Sequence, residues 1–326
     1  MATCRFNRLK SVILPLFILM VSGTPAIGSD RNEPIRPLPL TIDLNPDKVA
    51  LGDLLFHDTR LSGNNTISCA HCHNLATGGS DHRATSSGIN GQLGRIKAPT
   101  VFNSGFHFVQ FWDGRAATLE EQIEGPVHNP LEMGSSWPNV IKKLQADPKL
   151  SRTFKKSYPD GITSANIKDA IATFERSLIT FNSRFDQWLR GDEKALNEHE
   201  LQGYLLFKDY GCISCHQGMN VGGNMYGYMG AMGDYFADRG TPLTQADMGR
   251  FNITGLEEDK HLFRVPCLRL TAINPPYFHD GSAKTLEEAV RIMGLYQLGR
   301  EIPPKDVQAI VAFLHTLVGN HPRLHP

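Results

Sequence analysis

Two five-residue stretches, CAHCH at 69–73 and CISCH at 212–216, constrain this chain more than any other feature. Only six cysteines occur in 326 residues, and four of them sit in these two stretches. A thioredoxin-type redox pair does not need an adjacent histidine twice, and a zinc site needs further Cys or His at ligand spacing. The pattern C-x-x-C-H instead fits covalent haem c. Two thioether sulfurs hold the porphyrin edge and the next side chain reaches the iron. The expectation is two haem c groups, bound through Cys69 and Cys72 with His73, and through Cys212 and Cys215 with His216. His71, inside the first motif, points away from the iron.

The duplication extends beyond these motifs. LGDLLFHD (51–58) precedes the first and QGYLLFKD (202–209) the second. FWDGRAATLEE (111–121) matches FHDGSAKTLEE (278–288) at eight of eleven positions without a gap, and Pro99 and Pro266 lie equally far upstream. Each half reads as a small unit with a helix before the CxxCH and a DG turn opening another helix. The spans between motif and proline differ, 30 residues in the first half and 54 in the second.

That register exposes an asymmetry. Twelve residues beyond Gly281 stands Met293; twelve beyond Gly114 stands Pro126. Methionine is a common second axial ligand of an electron-transferring haem, whereas proline cannot coordinate iron. The second haem is expected to be held by His216 and Met293, and the first by His73 with an open face. Splitting peroxide at an open face needs a group that takes a proton from one oxygen and returns it to the other. The loop QIEGPVHNPLEMG (122–134) offers His128, Glu124 and Glu132.

At the N-terminus, Arg5, Arg8 and Lys10 precede VILPLFILMV and then SGTPAIGS. This is the order of a signal peptide, residues 1–28, with a cleavage site at Ala26–Gly28. Ten apolar residues interrupted by Pro15 are too few for a bilayer span of about twenty. Export agrees with covalent haem attachment and points to the periplasm. Net charge is zero, so nothing favours nucleic acid or a membrane surface as partner. Hydrophobic residues at 40% suffice for real cores.

The chain's periodicity is helical. Ile167, Ile171, Phe174 and Leu178 form a stripe in 163–181 behind a Thr163 cap. Val307, Ile310, Val311, Leu314 and Leu317 form another in 303–319, from a proline start to Gly319. GMNVGGNMYGYMGAMGDY (218–235) reads as an irregular loop. The expected fold is mainly α, with two cytochrome c-like domains, 45–181 and 182–326, each with one covalently attached haem c. The C-terminal helix is expected to return to the first domain. Cys267, alone in RVPCLRL, reads as a small buried hydrophobe. His57, His107, His199, His261, His315 and His321 show no ligand spacing, and His279 lies in the second DG turn.

LSGNNTISCAHCHNLATGG, APTVFNS, QFWDGRAATLEEQIEGPV, GCISCHQGMNVGG, FRVPCLRL, PPYFHDG and IMGLYQLG together carry a resemblance. Over about residues 45–320 the chain resembles bacterial di-haem cytochrome c peroxidases, and less closely the MauG enzymes that mature tryptophan tryptophylquinone. The resemblance implies reduction of hydrogen peroxide at the first haem and electron entry at the second. The implied donor is a small cytochrome c or a cupredoxin, and the implied assembly is a homodimer. It gives the acid–base role to Glu132 rather than His128, with Gln122 beside it. It puts Trp112 between the haems and Met293 on the second iron. A tyrosine in the slot of Met293 would point to MauG-like chemistry; here Tyr296 lies three residues further on. The rivals are a MauG-like oxidase of a partner protein and a di-haem electron carrier without catalysis.

The chain departs from the family in two places. Many relatives carry a histidine shortly after TSxG that caps the first haem until reduction. Here TSSGINGQLG (85–94) has Ile89 and Asn90, and the nearby His82 does not match in position. The family's calcium between domains uses an asparagine replaced here by Lys97 and a threonine carbonyl replaced by Asn274. A backbone carbonyl could survive the change at Asn274, but an ammonium beside calcium is unfavourable, so calcium is possible but doubtful.

Overall fold

The computed structural model describes Met1 and residues 31–325; apart from Met1, the leader expected at 1–28 lies outside the described residues. Six helices position everything that follows. They are α1 (Pro46–Phe56), α2 (Leu119–His128), α3 (Ser164–Ser177), α4 (Glu198–Asp209), α5 (Leu286–Ile292) and α6 (Pro304–His315). The structure is mainly helical. Among the described residues no helix is long and apolar enough to cross a membrane.

Two hydrophobic cores form, each around a crossed helix pair. In the first, α1 lies across α3 and buries Leu51, Leu55 and Phe56 against Ile167, Ile171 and Phe174. In the second, α4 lies across α6 and buries Tyr204 and Phe207 against Ile310 and Phe313. The repeated glycines make both crossings close. A Cβ on Gly52 would stand 1.9 Å from the Ala170 carbonyl oxygen, and one on Gly203 would stand 1.9 Å from that of Ala309. Any side chain there would force the helix pair apart.

The duplicated TLEE segments fold alike. Thr118 accepts from the amide of Glu121 at 3.2 Å and Thr285 from that of Glu288 at 3.1 Å, satisfying free amides at the starts of α2 and α5. Each glutamate reaches back to a preceding amide, Ala117 at 2.8 Å and Lys284 at 2.6 Å. The preceding turns also correspond. Phe111 and Gly114 have φ of 67° and 70°, and Phe278 and Gly281 have 69° and 64°.

Three expectations need correction. The C-terminal helix α6 stays in the second core, because its stripe from Val307 to Leu314 packs on α4. Only the residues after it return to the first core. Leu324 is buried there, and the His325 amide donates to the Ala76 carbonyl at 2.9 Å. Gly319 is likewise no mere helix stop, since a Cβ would stand 2.3 Å from the Thr180 carbonyl oxygen. Finally, the glycine-rich 218–235 stretch contains β1 (Tyr226–Tyr228), which pairs antiparallel with β2 (Leu262–Arg264). Its partner lies more than thirty residues away, beyond the reach of a local pattern.

Candidate functional site: two clefts sharing a wall

Each CxxCH motif opens a cleft. The first, of about 1350 Å³, is lined by Cys69, Cys72 and His73, and also by Gln122, Pro126 and Glu132. The second, of about 1960 Å³, is lined by Cys212, Cys215, His216 and Met293. The asymmetry read from the register therefore appears in space, with Pro126 on the wall of one cleft and Met293 on the wall of the other.

The residues present fit a haem in each cleft. None of the four cysteines is in a disulfide. The Nδ1 atoms of His73 and His216 lie 3.2 Å from the Gly79 carbonyl and 3.3 Å from that of Val221, which leaves each Nε2 for a metal. Burial holds both imidazoles in the neutral form that ligates, lowering His73 and taking His216 down to about 4. Met293 begins a single π-helical turn, Met293–Gln297, directly after α5. Such turns are frequent at functional sites because they re-aim one side chain. Tyr296 points elsewhere, donating to Asp238 at 3.2 Å and stacking edge-on with Tyr235.

The stretch 122–134 is not all loop, as α2 continues to His128 with Pro126 inside it. Leu119, Ile123 and Val127 belong to the first core and border the cleft from it, and Gln122 and Pro126, one turn apart, line the cleft as well. Helical spacing separates the three acid–base candidates. Glu124 is engaged outside the cleft by Lys168 and by the Trp137 indole at 2.6 Å. Burial would raise its pKa, but these two donors outweigh it and leave the carboxyl below its usual range. His128 is exposed and sits 3.4 Å from Glu124. Glu132 alone of the three lines the cleft, where burial raises its pKa against the opposing pull of Asn129 and Arg115. Asn129 donates to its Oε1 at 2.6 Å.

The TSSGING segment is pinned against Glu132. The Ile89 amide donates to the Glu132 carbonyl at 2.8 Å, and a Cβ on Gly88 would stand 1.9 Å from the Leu131 carbonyl oxygen. His82 is exposed, 2.7 Å from the Thr77 carbonyl, and does not line the cleft.

Trp112, Lys97, His107 and Arg264 line both clefts. The Trp112 indole donates to the Lys97 carbonyl at 2.9 Å, and its ring meets His279 edge-on at 6.3 Å. The sequence reading missed His107 and Arg264, and also Glu175. His107 has both ring nitrogens buried without a partner, and burial lowers its pKa. Glu175 lines the first cleft, where burial pushes its carboxyl up to about 8. It sits on the hydrophobic stripe of α3, so only an acid inside an apolar pattern could have signalled it. Cys267 is a partly buried residue of the second cleft whose thiol donates to Asn220 at 2.8 Å, more than a hydrophobic filler.

Comparison with known proteins agrees with this geometry. The family model described as di-haem cytochrome c peroxidase matches residues 46–194. The chain is 52% identical over 291 residues to the cytochrome c peroxidase Ccp of Escherichia coli, covering 89% of this chain and 62% of that protein's length. It is 47% identical over 292 residues to the cytochrome c551 peroxidase of Nitrosomonas europaea, covering 89% and 86%. A solved structure of a MauG-like protein associated with microbial copper homeostasis is 29% identical with a TM-score of 0.77, over 92% of this chain and 97% of that one. The chain belongs to the bacterial di-haem cytochrome c peroxidase family. Identity is higher to the named peroxidases than to the MauG-like protein, which favours the peroxidase reading over the MauG-like one.

Proposed function

We propose that this chain is a periplasmic di-haem cytochrome c peroxidase in which Glu132 handles the proton and Met293 closes the second haem. The overall reaction takes one hydrogen peroxide, two electrons and two protons to two waters. The observation that carries this reading is the company of His73 in the first cleft, where Glu132 is present and Pro126 occupies the position that Met293 holds in the second. Haem iron, when bound, supplies the Lewis acid and the electrons for O–O cleavage.

The chain's own residues do the rest. Cys69, Cys72 and His73 hold the first haem; Cys212, Cys215, His216 and Met293 hold the second. Glu132 accepts a proton from one peroxide oxygen and delivers it to the other, which becomes water. Its raised pKa suits a group that must both take and give a proton near neutral pH. The Gln122 amide lies one turn before Pro126 and orients the peroxide by hydrogen bonding. Trp112, on the wall common to both clefts, is the route for electrons between them. A small cytochrome c or a cupredoxin delivers those electrons one at a time to the second haem. The working assembly is a homodimer, and the two domains are 45–181 and 182–326 with residues 320–325 returning to the first.

Calcium is not part of this reading. Lys97 is buried at the place of the family's asparagine and donates to the Ser80 hydroxyl at 3.0 Å. The rivals lack comparable support. A half-buried, cleft-lining Glu132 with a raised pKa has no use in a pure carrier, and Tyr296 is turned away from the cleft a MauG-like ligand would need.

The test is peroxide-dependent oxidation of a reduced small cytochrome c, by enzyme used fully oxidised and again after partial reduction. Equal activity in both states is expected, because Ile89 and Asn90 stand where a capping histidine would be. Activity only after reduction would show another ligand on the first iron. No turnover with any donor would sink the peroxidase reading.

A further inference from the structure

Lys97 precedes Pro99 by two residues and Arg264 precedes Pro266 by two, so they occupy the same register of the duplication. The fold treats them alike. The Lys97 amide donates to the His279 carbonyl at 2.8 Å, and the Arg264 amide donates to the Trp112 carbonyl at 2.8 Å. Each half thus threads its cation past the DG turn of the other half. Lys97 is 5% exposed and Arg264 3%, and both line both clefts.

Neither sits in a direct ion pair, although the more distant Asp81 favours the charged form of Lys97. Among the described residues no carboxylate makes an ion pair with either one. The Lys97 ammonium donates to the Ser80 hydroxyl. Arg264 Nε donates to the Phe111 carbonyl at 3.1 Å, while its Nη1 is buried without any partner. Elsewhere the same fold pairs its buried cations: Arg269 with Asp186 at 2.9 Å, and Arg239 with Asp247 at 2.7 Å. Two buried cations without an ion pair on one wall are costly, because each loses hydration and neither gains a direct Coulomb contact. Burial accordingly depresses both, Arg264 to about 10.

We propose that Lys97 and Arg264 form one shared carboxylate site on the wall between the clefts, receiving acidic side groups of both haems, so that each cation tunes both. This rests on the two-haem reading. Haem carries carboxylates on its rim, and the missing counter-charge lies where two rims would face one wall. A fixed positive charge stabilises the reduced, less positive iron, so removing it lowers the midpoint potential. Because each cation borders both clefts, one substitution lowers two potentials.

The experiment is spectroelectrochemical titration of the holoenzyme carrying Lys97→Met or Arg264→Met, with Lys97→Arg and Arg264→Lys as charge-retaining partners. Covalent haem is counted separately by denatured haem absorbance. The expected result is two haems per chain, both potentials lowered in each Met variant, and both restored towards wild type by the charge-retaining one. If Arg264→Met loads no haem, Lys97→Met carries the test alone. Unmoved potentials, or movement at one haem only, would overturn the proposal. So would wild-type potentials that follow chloride or phosphate concentration and lose that response in the Met variants, because the site would then hold a free anion. Fewer than two covalent haems in the wild type would instead refute the two-haem reading.

Discussion

Asn129 donates its side-chain amide to Glu132 Oε1 at 2.6 Å, and this bond holds a carboxyl that lines the first cleft together with Cys69, Cys72 and His73. The bond favours the ionised form while burial favours the neutral one, and burial prevails. A raised pKa suits the proton-shuttling role proposed for this carboxyl.

Replacing Glu132 by Gln takes away the proposed shuttle and keeps the shape. Peroxide turnover is expected to fall by about 10²- to 10⁴-fold with covalent haem content unchanged. Steady-state oxidation of a reduced cytochrome c measures it, and undiminished turnover would exclude Glu132 from the proton transfer.

The pH profile follows from the same group. In the proposed role Glu132 acts first as a base, so activity is expected to be lost as pH falls through its raised pKa, with the acid limb above that of a free glutamate. Asn129→Ala removes a donor to the charged form, raises that pKa further and moves the limb to higher pH. A limb that stays put in Asn129→Ala belongs to some other group.

Met293→Ala should change one haem of the two from six- to five-coordinate and slow electron uptake from the donor. Tyr296→Phe should leave both spectra as they are, since that hydroxyl is bound to Asp238. Resonance Raman of the oxidised enzyme distinguishes the cases. An unchanged spectrum in Met293→Ala would remove it from the iron.

Arg269 and Asp186 are a fully buried pair, at 3.1 and 2.9 Å, and Arg269 also donates to the Met219 carbonyl at 2.6 Å. Arg269→Met leaves Asp186 charged and alone, and is expected to cost about 3–5 kcal/mol. Urea unfolding measures it. Adding Asp186→Leu should recover part of the loss, because the orphaned charge goes with it; a loss that persists would place the cost in Arg269's bonds to the backbone.

Chelation offers the last check. Lys97 is buried with its ammonium on Ser80, so prolonged EDTA treatment should leave peroxidase activity unchanged. Loss of activity restored by calcium would show that an ion binds despite the lysine.

Much of this was legible in the residue order because it is local. The C-x-x-C-H spacing and the TLEE caps act over a few residues, and the repeat aligned Pro126 with Met293 by register alone. The starts of α3 and α6 followed from Thr163 and the Pro303–Pro304 pair. The choice among Glu124, His128 and Glu132 was different. Sequence spacing put all three near the cleft, and the family resemblance selected one. In space, α2 keeps turning to His128 and carries Glu124 and His128 away, while the loop after it brings Glu132 back over Gly88.

The sequence by itself determined the two C-x-x-C-H motifs, the duplication and the inequality of the halves, since each depends on residue identity at fixed short separations. Only the tertiary structure decided that Lys97, His107, Trp112 and Arg264 share a wall, that α6 stays with the second core and that Leu324 returns to the first. Those outcomes depend on which surfaces pack across separations of a hundred residues or more, and burial there is a property of the assembled chain rather than of any local pattern.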